Sequence, residues 1–195
     1  MSQPRKAEIS RETKETKINM SINLDGKANY QIKTDVGFLN HMLELFAKHG
    51  NFNLTVNATG DTNVDFHHLV EDVGIVLGQC IKKALKDFSG IKRYGNKTIP
   101  MDDALSMVTI DLSNRPFLVY NVNFTNEKVG QMDVELFEEF FQGLVNNLKC
   151  NLHINNYYGK NSHHIIESVF KAFAHSLKEA VTPSEIAILS SKGVL

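Results

Sequence analysis

The sequence predicts an α+β fold built from a duplicated β-β-α-β-α unit, with the helices packed together and a sheet on each outer face. Three observations carry this. His67-His68-Leu69-Val70-Glu71 and His163-His164-Ile165-Ile166-Glu167 read the same motif, His-His-x-x-Glu, 96 residues apart in a chain of 195. Strand-like and helix-like apolar periodicities follow the same order in both halves. No flexible linker separates the halves, so they are expected to be two pseudo-symmetric lobes, about 1–92 and 93–195, of a single domain. Outside the two motifs the halves share little sequence, so the repeat is one of architecture.

In the first half, segment 6–24 alternates around Ile18, Met20, Ile22 and Leu24, as a half-buried strand does. Asp25-Gly26 is a turn signal, and a strand through Tyr30 and Ile32 would complete a hairpin. Phe38, Leu39, Met42, Leu45 and Phe46 recur at helical spacing, with Gly50 as the expected C-terminal cap. Leu54 to Val56 reads as a strand, and Val70, Val73, Leu77, Cys80, Ala84 and Phe88 mark a long helix. In the second half, Met107 to Leu112 and Phe117 to Phe124 read as strands joined around Asn114-Arg115-Pro116. Leu136, Phe140, Phe141, Leu144, Val145 and Leu148 form a helical stripe, and Leu152 to Ile154 is a short strand. Ile166, Val169, Phe170, Phe173, Leu177 and Val181 mark the closing helix.

Composition narrows the function. Hydrophobic residues make up 42% and charged residues 22%, ordinary for a globular protein. The net charge of −1 provides no global basic field for nucleic acid or anionic membrane. The basic residues also form no continuous stripe with interleaved aromatics. Cys80 and Cys150 are the only cysteines and are expected to be reduced core residues of a cytosolic protein. The N-terminal stretch lacks an apolar core, and no run of about 18 apolar residues occurs, so neither a standard secretory signal nor a membrane span is expected.

The doubled motif points to metal chemistry. Asp65 precedes the first copy and Asn161-Ser162 precede the second, and each is a good N-cap, so both motifs open helices. Four residues apart on a helix, His67 and Glu71 share a face. His68 is turned by about 100°, which follows from 3.6 residues per turn. One helix therefore gives a His and a Glu to one ion and its second His to another, and the other helix does the converse. Two sites follow, each with two imidazoles and one carboxylate. Such a nitrogen and oxygen set suits manganese, iron, cobalt or zinc, and the lack of Cys argues against a closed structural zinc site. His41 lies 26 residues before His67, and the matching position in the second half is Glu139, 24 residues before His163, so these two are candidate extra ligands. The residues alone leave open a dinuclear metallohydrolase acting on a phosphorylated small molecule, or a metal-dependent assembly or storage protein.

Four stretches together resemble the imidazoleglycerol-phosphate dehydratase family: Gly37-Phe38-Leu39-Asn40-His41-Met42-Leu43, Asp65-x-His67-His68-x-x-Glu71-Asp72, His163-His164-x-x-Glu167-x-x-Phe170-Lys171-Ala172-Phe173, and Ser190-Ser191-Lys192-Gly193-Val194-Leu195. The resemblance spans nearly the whole chain. It implies a ribosomal protein S5 domain 2-like fold with two four-stranded sheets. It implies a cytoplasmic hydro-lyase of histidine biosynthesis that converts D-erythro-imidazole glycerol phosphate to imidazole acetol phosphate. It also implies two manganese ions (Mn2+) per active site, and a homo-oligomer of 24 subunits built from trimers with metal sites completed between subunits. One ion would take His41, His68, His163 and Glu167. The other would take His67, Glu71, His164 and the residue at 139, where many members carry His and this chain has Glu139. Asn40 stands where Asp is frequent.

The same resemblance assigns the substrate contacts. Arg93, Arg115, Lys171 and Lys192, with the hydroxyls of Ser190 and Ser191, match the phosphate-binding residues. His41, His49, His67 and His163 are expected to touch substrate. Glu15, Glu71 and Glu167 are the expected catalytic carboxylates, with Glu15 as the general base. The implied chemistry runs through an imidazolate held by two manganese ions, whose electrons expel the neighbouring hydroxyl.

Overall fold

The computed structural model describes residues 4–185, 187–190 and 192–193. Ser191, expected among the phosphate-binding hydroxyls, lies outside the described residues. The first half runs β1 (Lys6–Glu12), β2 (Thr16–Asn23), β3 (Tyr30–Lys33), α1 (Gly37–Gly50), β4 (Asn53–Gly60) and α2 (His67–Leu85). The second runs β5 (Tyr94–Met101), β6 (Ala104–Asp111), β7 (Phe117–Asn121), a two-stranded ribbon of β8 (Lys128–Val129) and β9 (Met132–Asp133), α3 (Leu136–Leu148), β10 (Asn151–Tyr158) and α4 (Ser162–Ala180). Two four-stranded sheets result, ordered β1-β2-β4-β3 and β5-β6-β10-β7. This is the α+β architecture expected, with the helices inside.

Each unit carries one strand more than the periodicities counted. Segment 6–24 is two strands, β1 and β2, folded back at Thr13 to Glu15. The hairpin partner of β2 is therefore β1, while β3 crosses over to pair parallel with β4. Strand β5 carries Gly95, Pro100 and alternating polar residues, and its faint apolar signal hides it in the sequence. Strands β6 and β7 are not neighbours either, because β10 lies between them and pairs parallel with β7. The cap of α1 is Asn51 at φ 53°, with Gly50 the last helical residue. Helix α2 stops at Leu85, so Phe88 falls beyond it.

The strands place alternate residues inward. Ile18, Met20 and Ile22 of β2 and Val108 and Ile110 of β6 are buried, while their neighbours face out. The inner faces meet the helices in a hydrophobic cluster that includes Phe46, Phe52, Phe137, Phe140, Phe141, Phe170 and Phe173. Both Cys80 and Cys150 are free and buried there, and burial raises the Cys80 thiol to about 12.

Helix pairing decides where the motifs end up. Helices α2 and α3 come from different halves and touch backbone to backbone. A Cβ on Gly74 would lie 2.2 Å from the Phe140 carbonyl oxygen, and one on Gly78 would lie 2.4 Å from that of Leu144. Facing residues rise together along both chains, so the two helices run parallel. The same holds for α1 and α4, where His41 meets His163, Phe46 meets Phe173 and His49 meets His175. Phe38 on α1 also meets Phe137 on α3 at 5.9 Å. All four N-termini therefore lie at one end of the helical layer.

Gly74→Ala should lower the thermal midpoint and cost about 1–3 kcal/mol, because the obstruction is backbone that cannot rotate away. Gly37→Ala, where a Cβ would meet nothing within 4 Å, should leave stability little changed.

A cross-half clasp gives a pH dependence. Arg5 pairs with Asp25 at 2.6 Å and also donates to the Val181 carbonyl at the end of α4. The hydrogen bond from Arg5 holds the Asp25 carboxyl below its ordinary value, against the opposing effect of burial. A carboxyl depressed on folding adds stability above its unfolded pKa, and that stability is lost as pH falls through the folded value. Asp25→Asn should therefore flatten the acid limb of the stability–pH curve below about pH 4, by under about 1 kcal/mol since the pair is partly exposed.

Candidate active site

The two motifs open α2 and α4, as their capping residues require. Asn161 is the N-cap of α4, and its side chain accepts from the N–H groups of His163 at 2.9 Å and His164 at 3.4 Å. Asp65 accepts from His67 N–H at 2.8 Å, although the N-cap of α2 is Phe66. The rotation of α2 is fixed by Asp72, which is buried and takes the Arg11 guanidinium at 2.9 Å and the Thr16 hydroxyl.

One cluster forms between the halves. His41 of α1 and His163 and Glu167 of α4 place their donor atoms within 4.8 Å of one another. His163 Nε2 lies 3.2 Å and His41 Nε2 3.6 Å from Glu167 Oε2. Lys171 takes the other oxygen of Glu167 at 2.6 Å. Burial opposes ionisation of Glu167, but the hydrogen bond and charge of Lys171, then His41 and His163, outweigh it and hold the carboxyl below its usual range. Phe38 stands edge-on to His163 at 5.0 Å and limits its ring orientation. Two imidazoles and a carboxylate at this spacing suit a divalent ion of the manganese type.

A second pair forms on α2, where His67 Nε2 and Glu71 Oε2 are 3.9 Å apart and both half exposed. Glu139 lies in the first turn of the parallel helix α3, one turn before Gly143, whose Cα face abuts the Glu71 carbonyl. That turns Glu139 toward α2, although among the described residues it forms no cluster with His67 and Glu71 like that of His41, His163 and Glu167. The second histidine of each motif is drawn to an aspartate from outside its own helix. His68 Nδ1 lies 3.0 Å from Asp61 and 3.9 Å from Glu15, and the bond to Asp61 raises its pKa. His164 Nδ1 lies 2.6 Å from Asp103, which that bond holds far below the usual carboxylate range. Among the described residues, neither His68 nor His164 joins the cluster of His41, His163 and Glu167.

The expected phosphate-binding residues are not gathered in one place within the chain. Lys171 reaches Met101 at the end of β5, whereas Arg93 precedes its start, about 26 Å from Met101 at ~3.3 Å per residue. Arg93 is buried, pairs with Asp111 through two nitrogens at 2.6 and 3.0 Å, and donates to the Leu189 carbonyl. It thereby holds the C-terminal segment that carries Ser190 and Lys192, where Lys192 N–H donates to the Ser190 hydroxyl at 3.2 Å. Arg115 is exposed after β6, near Ser113. His49 lies further along α1, against His175 at 5.4 Å; burial, then the charge of Lys171, depresses its pKa. Glu15 is exposed at the β1–β2 turn beside His68.

Sequence reasoning missed Asp61, Asp103 and Phe38. Asp103 sits in the β5–β6 turn, and finding it needed strand β5. A cavity of about 390 Å³ opens beside His41, between Phe38, Phe66 and the β8–β9 turn at Gly130 to Met132. The ribbon has no counterpart in the first half, and its two-residue strands lie below the length that periodicity detects.

Comparison with known proteins gives the family. Residues 34–177 match the family model described as imidazoleglycerol-phosphate dehydratase. The chain is 55% identical over 193 residues to the imidazoleglycerol-phosphate dehydratase of Geobacter sulfurreducens, covering 98% of this chain and 99% of that protein. It is 56% identical over 190 residues to that of Clostridium kluyveri, covering 96% and 98%. The crystal structure of imidazoleglycerol-phosphate dehydratase from Staphylococcus aureus superposes with a TM-score of 0.83 at 42% identity, covering 92% of this chain and 99% of that one. The Pyrococcus furiosus IGPD structure in complex with (S)-C348 gives 0.85 at 38%, covering 96% and 100%. With matches this extensive in sequence and in fold, the chain belongs to the imidazoleglycerol-phosphate dehydratase family, a family of hydro-lyases.

Proposed function

We propose that the chain dehydrates D-erythro-imidazole glycerol phosphate to imidazole acetol phosphate in histidine biosynthesis, with two Mn2+ ions per active site. Family membership supports the reaction, and the His41–His163–Glu167 cluster is the observation that carries the metal reading. One ion would be held by His41, His163 and Glu167 with a His68, the other by His67, Glu71 and Glu139 with a His164. His68 and His164 face away from these clusters within the chain, which supports sites completed by another copy, and hence a homo-oligomer such as a 24-mer of trimers. The pairing of α1 with α4 and of α2 with α3 across the halves supports one domain of two lobes. A phosphorylated metabolite as substrate fits a cytoplasmic enzyme.

The reaction breaks a C–O bond beside the imidazole and a C–H bond on the next carbon, and the resulting enol ketonises. Bound ions supply Lewis acidity toward an imidazole nitrogen, which favours the deprotonated, electron-rich ring. The protein must bind, orient and move protons around that ring. Glu15, exposed on a turn next to His68, would take the carbon-bound proton. Lys171 fixes Glu167 as a carboxylate, the form a cation needs. Arg93, Arg115, Lys171, Lys192 and the hydroxyls of Ser190 and Ser191 would share the phosphate. Their wide spacing within the chain fits a clamp assembled from more than one copy.

Protein stripped of metal and resupplied with Mn2+ should release water and form the new carbonyl from imidazole glycerol phosphate. Release of inorganic phosphate in its place would favour a dinuclear hydrolase, and no turnover would remove the assignment. Glu167→Gln and Glu71→Gln should each lose bound Mn2+, read by elemental analysis, together with activity. Glu15→Gln should keep its Mn2+ while kcat falls about 10²–10⁴-fold, the range for loss of a general base; unchanged kcat would refute that role.

A further inference from the structure

The five histidines at the helix N-termini share a pattern. His41, His67 and His163 direct Nε2 toward a Glu carboxylate. His68 and His164 are instead tied back through Nδ1, to Asp61 at 3.0 Å and Asp103 at 2.6 Å. An ionised carboxylate only accepts, so Nδ1 must donate, and in the neutral imidazole that a metal needs Nε2 is the nitrogen without a proton. The Nε2 of His164 faces outward beside the exposed Asp102, 3.6 Å from its carboxylate.

The two Asp residues come from different places. Asp61 follows β4 at the approach to α2, whereas Asp103 lies in the β5–β6 turn. The turn equivalent to Asp103 in the first half is that of Thr13 to Glu15, whose Glu15 stands 3.9 Å from His68 Nδ1. Duplication alone would have put the two Asp residues on equivalent loops. The same bond reached from different loops indicates a demand imposed by the histidines. Asp103 is also rigidly seated, since its second oxygen accepts from the N–H groups of Lys160 at 2.6 Å and Asn161 at 3.1 Å.

We infer that Asp61 and Asp103 are positioning residues, holding His68 and His164 in the Nδ1–H form so that Nε2 is presented outward to an ion shared with another copy. This rests on the metal reading above. A carboxylate on the far nitrogen of a metal-bound imidazole sets ring orientation and tautomer, and its loss typically weakens metal binding about 10–100-fold.

Asp103→Asn discriminates this role from a purely structural one. Its carbonyl oxygen can still accept from the Lys160 and Asn161 N–H groups, so the turn keeps its hydrogen bonds. Its amide then faces His164 and donates to Nδ1, which moves the ring proton onto Nε2 and blocks it as a ligand. Mn2+ titration of the full chain, followed by the electron paramagnetic resonance signal of the free ion, should show an affinity about 10–100-fold weaker for one site. The thermal midpoint of the metal-free variant should match wild type, and Asp61→Asn should weaken the other site in the same way. Wild-type affinity in Asp103→Asn would overturn the positioning role and leave the metal reading standing. So would an affinity loss explained by a lowered metal-free midpoint. A wild-type chain that takes up no Mn2+ would overturn both.

Discussion

Backbone contact between α2 and α3 sets the geometry of everything at the helix N-termini. Gly74 and Gly78 let the two helices approach until main-chain atoms touch, and Gly143 answers from the other side, where a Cβ would lie 2.9 Å from the Glu71 carbonyl oxygen. A side chain at these positions would push the axes apart and slide the N-terminal turns out of register. The α1–α4 pair uses aromatic packing in place of glycine contact, with Phe46 stacked on Phe173 at 5.4 Å. Each pair joins helices of different halves, so neither half could build its own cluster.

Gathering four parallel helices at one end has an electrostatic consequence. Each N-terminus carries a partial positive charge, which favours carboxylates and neutral imidazoles in the first turns. The residues near these ends match in part: Glu139 lies in the first turn of α3, while Glu71 and Glu167 lie just beyond the first turns of α2 and α4. Such an end repels a bare cation, so these carboxylates must outweigh the field of the helices before an ion can bind. Glu167 is largely buried, and Lys171 keeps it ionised while occupying one of its oxygens.

Among the described residues there is thus one compact His–His–Glu cluster, one looser His–Glu pair and two histidines bonded elsewhere. The β8–β9 ribbon adds a wall to the cavity beside His41, a feature of the second half only.

Much of this was legible in the sequence because it depends on local spacing. The i and i+4 relation of His163 to Glu167, the divergence of adjacent histidines, the capping by Asn161 and the apolar stripes of the helices follow from helix geometry alone. The equivalence of His41 and Glu139 could be read from chain order. Strand pairing could not: β3 and β7 pair parallel with partners beyond a helix, and weakly apolar β5 is recognisable only through its register with β6. For the same reason Asp61 and Asp103 stayed hidden, since each reaches its histidine only after the sheets and helices have packed. Sequence by itself determined which residues are candidates for the chemistry and how those of each motif are spaced on their own helix. The tertiary structure decided which of them meet, because closeness between α1 and α4, or α2 and α3, is set by interhelical packing between residues more than 60 positions apart.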